Sequence, residues 1–224
     1  EIGKFLEIKL RPGGNEGEDQ RVFKGVITGS RLRSRRTGRE LILQVHDPIF
    51  QTTLHKKNDY FSEMSDADIL RQILGKYNKL SVGSIKGGEV EHPEMIQYIS
   101  TDWDFVLARA DANGLCVGVT DGKIEIGPLE KGSQETLRLG KDEWLDFDLA
   151  VDLRQSMDQV KSVAWNPDDQ ALQIGPEAKR PVLAPGKWAN AKRPGELGES
   201  DNQQLFPVPL ASPELKAYAQ GRQH

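Results

Sequence analysis

Cysteine is nearly absent from this 224-residue chain, histidine is sparse, and aromatic residues make up only 7%. The single cysteine, Cys116, cannot close an internal disulfide, which fits folding in a reducing compartment. It follows Gly114 at the start of an apolar run and reads as a small buried thiol with no activating neighbour. The four histidines, His46, His55, His92 and His224, do not stand at helical i, i+4 spacing, so they do not form a zinc pair. His92-Pro93-Glu94 has the His-x-Glu start of a zinc deaminase but lacks the Pro-Cys-x-x-Cys that chemistry needs. The histidines therefore read as solvated loop residues. No run of about 18 apolar residues is present, so no membrane-spanning helix is expected. No basic segment followed by an apolar run opens the chain, so no secretory signal is read. The glycines of Gly83-Ser84-Ile85-Lys86-Gly87-Gly88 are not followed by Lys-Ser/Thr, which makes that stretch a turn and not a phosphate cradle. A Gly-x-Ser-x-Gly elbow is also missing. These gaps leave no catalytic, cofactor-binding or metal-binding residue to name, and no enzyme is expected.

What is present reads as β-rich α+β. Phe5–Leu10, Val22–Ile27 and Leu41–Val45 have strand character, the last as a mostly buried strand. Gly13-Gly14 and Gly38 punctuate them as turns. Ser65-Asp66-Ala67-Asp68 is a helix start, with Met64 and Ile69 placed for a staple. Ile69, Leu70, Ile73, Leu74 and Tyr77 follow as one apolar stripe. A second start lies at Thr101-Asp102-Trp103-Asp104, with Trp103, Val106, Leu107 and Ala110 on one face and Phe105 beside them. Asn113-Gly114 stops this helix, and Asp121-Gly122 turns a hairpin. The Ser/Thr-Asp-x-Asp pattern common to both starts is read as shared capping physics. Leu145, Phe147, Leu149, Val151 and Leu153 alternate with Asp146, Asp148, Ala150 and Asp152, the cleanest period-two pattern in the chain. Val160–Trp165 and Ala171–Ile174 flank the turn Asn166–Asp169. Seven of the twelve prolines fall after Gly175, so that segment is read as a linker without regular structure. Ser212-Pro213-Glu214 then opens a last helix. Glu1 leads almost directly into a strand and the chain stops at His224 without a closing element, which suggests a piece of a longer protein.

The formal net charge of −4 argues against a generic nucleic-acid binder. The strongest cluster is basic: Arg31, Arg33, Arg35 and Arg36, with Arg39. It reads as a surface hairpin pairing with an acidic edge on a neighbouring subunit, and a polyanion-binding patch is the alternative. Asp146, Asp148 and Asp152 would share one strand face, where neighbours two apart stand about 7 Å apart, wide for direct ligands of one cation, and they suit such a subunit contact.

Tyr98-Ile99-Ser100-Thr101-Asp102-Trp103-Asp104-Phe105-Val106-Leu107-Ala108-Arg109 with Gly114 resembles the Ser-Asp-x-Asp-Phe-Val-x-Arg signature of the VgrG and phage late-control-D family. Ser65-Asp66-Ala67-Asp68-Ile69-Leu70 and Gln159–Asn166 resemble further segments of it, so the resemblance spans about 24–174. It implies a phage tail hub-like fold, with two barrel-like β domains flanking a small α+β domain. The first barrel would take 1–60, the peripheral domain 61–134 and the second barrel 135–174, followed by a Pro-rich insertion and helix start at 175–224. Ser65, Asp68, Asp102, Trp103, Asp104, Phe105 and Gly114 would be structural motif residues. Asp102 and Asp104 would meet the free amides of the first helical turn, and Trp103 and Phe105 would anchor the core. The resemblance further implies a homotrimeric, non-catalytic adaptor between tail tube, baseplate and a C-terminal spike or effector, as in phage tails and type VI secretion. It would be assembled in the bacterial cytoplasm and would hold no cofactor. A tail-associated hydrolase remains the alternative.

Overall fold

The computed structural model describes residues 2–11, 17–129, 148, 159–176, 178–179, 201–206, 210 and 212–223. The chain is a β-rich α+β protein whose strands are spread over several small sheets, and no closed barrel forms among the described residues. The Gly13-Gly14 turn and the alternating run 145–153, apart from Asp148, lie outside the described residues. Contacts divide the chain into two compact units, one of residues 1–109 and 117–127, the other of residues 110–116 and 128–224.

In the first unit, β1 (Phe5–Leu10), β2 (Gln20–Arg35) and β3 (Gly38–His46) form an antiparallel meander. β2 is long enough to pair twice. Its first half pairs with β1 as far as Phe5↔Val26, and its second half pairs with β3 alone, from Gly29↔Gln44 to Arg35↔Gly38. β3 is a strand as expected, but it is largely exposed and not buried. A 3-10 turn at Pro48–Thr53 follows. Asp47 caps it by accepting from the Ile49 amide at 2.9 Å, and its other oxygen accepts from the Gly122 amide at 2.9 Å.

β4 (Lys56–Ser65) runs straight into α1 (Asp66–Leu74), and β6 (Glu91–Thr101) runs straight into α2 (Asp102–Ala112). The two strands pair antiparallel. Neither was legible as a strand, because charged residues crowd β4 and Pro93 interrupts the pattern of β6. The expected stripe of α1 is real: Ile69, Leu70, Ile73 and Leu74 are fully buried, each contributing about 1.5–3 kcal/mol of burial. β5 (Ser81–Ile85), β7 (Cys116–Thr120) and β8 (Lys123–Gly127) make a further sheet in the order β5-β8-β7, with β5 and β8 parallel. Asp121 and Gly122 join β7 to β8 with φ of 52° and 77°, the positive pair a two-residue hairpin needs.

The second unit is built on β9 (Gln159–Asn166), in which Val160, Ser162, Val163 and Ala164 are all buried. β10 (Ala171–Ile174) and β11 (Ala178–Lys179) pair antiparallel with its two halves, and β12 (Asp201–Phe206) runs parallel along it. The segment after Gly175 thus contains two strands, contrary to the expectation of no regular structure. β12 occupies a proline-free window that ends at Pro207, so its ladder amides are intact. The helix α3 (Ser212–Gln223) packs on β9, β10 and β11 through Leu215 and Ala219. Phe206 meets Tyr218 at 5.1 Å.

Candidate functional site

Both helix starts carry the same local device. The Asp68 amide donates to the Ser65 hydroxyl at 3.2 Å, and that hydroxyl donates to the Asp68 carboxylate at 2.6 Å. Thr101 and Asp104 repeat this at 3.0 and 2.7 Å. The hydroxyl satisfies an orphan amide of the first turn and the acid completes the cap. The Ser65 hydroxyl, and then Arg71, hold the exposed Asp68 carboxyl below its ordinary value.

The neighbouring acids do something different. Asp66 and Asp102 occupy the first helical position and are buried, and Asp102, expected with Asp104 to meet the free amides of the first turn, bonds to side chains instead. Asp66 accepts from Arg109 Nε at 2.6 Å and Nη2 at 2.8 Å, and its Oδ2 lies 2.9 Å from His92 Nε2. Asp102 accepts from Lys57 Nζ at 2.6 Å, Tyr77 OH at 2.5 Å and Gln97 Nε2 at 3.0 Å. Burial pushes the Asp102 carboxyl up, but the bonds from Lys57, Tyr77 and Gln97 outweigh it and hold the group below its usual range. The bond to Asp102 raises the Lys57 ammonium, against burial. Burial, followed by the carboxylate of Asp102, raises the Tyr77 phenol.

The carboxylate that starts α1 therefore grips the last turn of α2, and the one that starts α2 grips Lys57 on β4 and Tyr77, three residues past α1. The likeness between the halves exceeds shared capping. Glu63 and Ile99, each two residues before its cap, both have positive φ, at 52° and 42°. Phe61 pairs with Met95 while Asp59 pairs with Gln97, the same register seen from either strand. His92, read as a solvated loop residue, is instead a buried strand residue on Asp66. Arg109 belongs to this brace too, although the sequence marked it only as part of a signature.

The buried face of α2 carries Asp102, Phe105, Val106 and Ala110, which rotates it from the expected one. Phe105 stacks on Phe61 at 6.0 Å, whereas Trp103 is half-buried and Leu107 is exposed. Gly114, at φ 66°, ends the helix. Its amide donates to the Asp111 carbonyl and that of Leu115 to the Ala110 carbonyl, both at 2.9 Å, a Schellman closure. Cys116 is exposed and not buried. It opens β7, where exposed and half-buried residues alternate.

The arginine cluster forms a projecting hairpin tip whose two-residue loop is Arg36-Thr37. Arg31, Arg33 and Arg35 lie on one face, while Leu32 with its partner Leu41, and Leu43, lie on the other. Among the described residues Arg33 has an acidic partner, Glu40 at 3.6 Å. Arg35 and the tip residues Arg36 and Arg39 are exposed, as is Arg31. Leu32, Leu41 and Leu43 are 71%, 64% and 38% exposed. Of the acids expected opposite this cluster, Asp148 is exposed, and Asp146 and Asp152 lie outside the described residues. A shallow cleft of about 370 Å³ beside the start of α1 is walled by Glu63, Asp68, Glu89 and Glu91 with Arg71. Among the described residues no three His, Cys, Asp or Glu side chains converge as metal ligands. No described helix is long and apolar enough to cross a membrane.

The fold is similar to that of solved phage tail proteins. The tail protein of Neisseria meningitidis MC58 aligns over 89% of this chain and 59% of its own length, with TM-score 0.54 and 16% identity. The 43 kDa tail protein of prophage MuSo2 from Shewanella oneidensis aligns over 98% and 68%, with TM-score 0.52 and 14% identity. This chain thus spans less than two thirds of the Neisseria protein. The Francisella PdpA–VgrG complex aligns at a TM-score of only 0.46 and 15% identity, over 92% of this chain and 34% of that one, too slight a likeness to argue from. The resemblance to the VgrG and late-control-D family thus extends to a tail-protein fold and not to a family match. No curated protein matches the sequence. One family profile, the Alg8 N-terminal domain, matches residues 2–224, and the chain belongs to that family.

Proposed function

We propose that this chain is a structural piece of the hub of a contractile injection machine, a phage tail or a related particle. In this reading it forms a homotrimer that adapts the tail tube and baseplate to a spike, is assembled in the bacterial cytoplasm, and carries out no catalysis. The observation that carries the reading is the likeness of fold to two tail proteins along 89% and 98% of the chain. The exposed hairpin adds support, since an isolated two-stranded ribbon is marginal in water and gains stability when a neighbour covers it. Repetition of one contact by closed rotational symmetry lets modest interfaces add up. Multi-angle light scattering on the full-length natural protein tests the reading, with a trimer expected. A strict monomer at micromolar concentration overturns it. Steep salt dependence of heparin binding, abolished by Arg33→Ala/Arg35→Ala, would favour the polyanion alternative.

A further inference from the structure

We propose that the arginine-bearing tip of the β2–β3 hairpin on one copy of this chain docks against the acidic cleft beside the start of α1 on a second copy. The inference deepens the subunit-contact reading above and rests on it. The hairpin from Gly29 to Gln44 holds five arginines and one glutamate, a net +4 in a chain of net −4, which leaves −8 on the remainder. Arg31, Arg33 and Arg35 lie along one face of β2, Arg36 sits in the loop, and Arg39 follows on β3. Glu40 answers Arg33 alone. Arg31, Arg35, Arg36 and Arg39 are exposed and meet no acid among the described residues. Like charges so crowded repel one another, and an opposite charge brought by a partner relieves that.

The same unit carries a surface of the opposite sign. The cleft of about 370 Å³ beside α1 is walled by Glu63, Asp68, Glu89 and Glu91, against the single cation Arg71. Asp68 is engaged by Ser65 and Arg71. Glu63, Glu89 and Glu91 are exposed and, like the arginines, have no oppositely charged partner among the described residues. These carboxylates alone would mark only a solvated face, and it is the unanswered arginine tip that gives them a fitting partner. Among the described residues no ion pair joins the two patches within one chain, so their charges are left to meet across copies. A cleft within the roughly 300–1,000 Å³ of ligand sites admits arginine side chains, whose planar forks suit carboxylates. The contact is heterologous, since tip and cleft are different patches of one surface, and repetition by a closing rotation builds a ring.

Sedimentation velocity on three forms of the chain tests this: Arg31→Glu/Arg35→Glu/Arg36→Glu, Glu63→Arg/Glu89→Arg/Glu91→Arg, and the two sets combined. Circular dichroism checks that each form is folded. Each set alone is expected to weaken self-association at least about tenfold, and the combined form, in which both signs are exchanged, is expected to regain it. The parent chain gives a second reading without substitution. Its association should weaken as salt rises from about 50 mM to about 500 mM, because exposed charges are screened. The proposal falls if the parent chain stays monomeric at high micromolar concentration, if its association ignores salt, if either set alone associates like the parent, or if the combined form recovers nothing. It also falls if the arginine reversals abolish heparin binding and leave self-association untouched. A trimeric full-length protein whose assembly ignores both sets of reversals would overturn this docking and leave the hub reading standing.

Discussion

Removing the buried acid at the start of each helix should have unequal consequences, although the two positions look equivalent in sequence. Asp66→Ala removes the carboxylate that meets both Arg109, whose side chain is only 12% exposed, and buried His92. A guanidinium held that deep cannot recover its solvation without unpacking α2, and breaking a buried pair from one side costs about 3–5 kcal/mol. Asp102→Ala strands Lys57, whose side chain is 37% exposed and can swing its ammonium into water. The remaining loss is that of hydrogen bonds to Tyr77 and Gln97, about 1–3 kcal/mol. The gap between the variants is thus about 2 kcal/mol, or about 6–10 °C in Tm for a unit of this size. Differential scanning calorimetry, with urea titration as a second measure, reads it directly. Asp66→Leu/Arg109→Leu should recover most of the loss of Asp66→Ala, because an apolar pair carries no desolvation penalty. If Asp102→Ala costs as much as Asp66→Ala, partner exposure does not control the energetics of these braces and the reasoning fails.

Other consequences are open to measurement. The carboxyl of Asp102 titrates below its unfolded value near 3.9. Its contribution is therefore full above about pH 4 and is lost as pH falls through the folded value, so Asp102→Asn should flatten the acid limb of the stability curve. Lys57 is raised, so its share is full below about pH 10 and fades as pH climbs through the folded value. Gly221→Ala sets a Cβ 2.3 Å from the Ala112 carbonyl oxygen. It should cost about 1–3 kcal/mol and speed amide exchange in α3, and unchanged exchange would refute that packing. Ile99 holds φ 42° with its side chain half exposed, a conformation costing a branched residue about 1–2 kcal/mol. Ile99→Gly should consequently be neutral or stabilising in urea titration, whereas Ile96→Gly, in ordinary strand geometry, should destabilise. Cys116 should react with a thiol reagent in the native state as fast as in urea, and slow native reaction would contradict its exposure.

Features whose cause lies within a few residues were legible in the sequence. The cap at Ser65, the stripe from Ile69 to Leu74, the stop at Gly114 and the turn at Asp121-Gly122 each follow from local sterics or periodicity. β4 and β6 were not legible, because charged residues crowd β4, and Pro93 with the buried polar residues His92 and Gln97 breaks the pattern of β6. The rotated face of α2 was missed for a related reason. Counting apolar residues put Leu107 inward, but the true inward face includes buried Asp102 and half-buried Arg109, which have partners elsewhere in the fold. Cys116 and His92 exchanged their expected places. A small thiol at a strand start needs no burial, and a histidine can be buried once a carboxylate such as Asp66 is there to meet it.

The Ser/Thr-Asp-x-Asp pattern shows why such a motif can look like chemistry and yet act as architecture. Its two acids are two residues apart on a helix, about 200° around the axis, so one must face out when the other faces in. The outer acid, Asp68 or Asp104, closes the cap with a partner three residues away, which sequence alone can reveal. The inner acid, Asp66 or Asp102, needs a cation 43 or 45 residues distant, which only the fold supplies. Burying a carboxylate at a helix start is costly unless such a partner arrives, so each helix can settle only once a strand or the other helix is in place. The motif thus couples the two halves of the first unit to one another. Strongly paired buried acids at both helix starts are therefore accounted for by the fold itself.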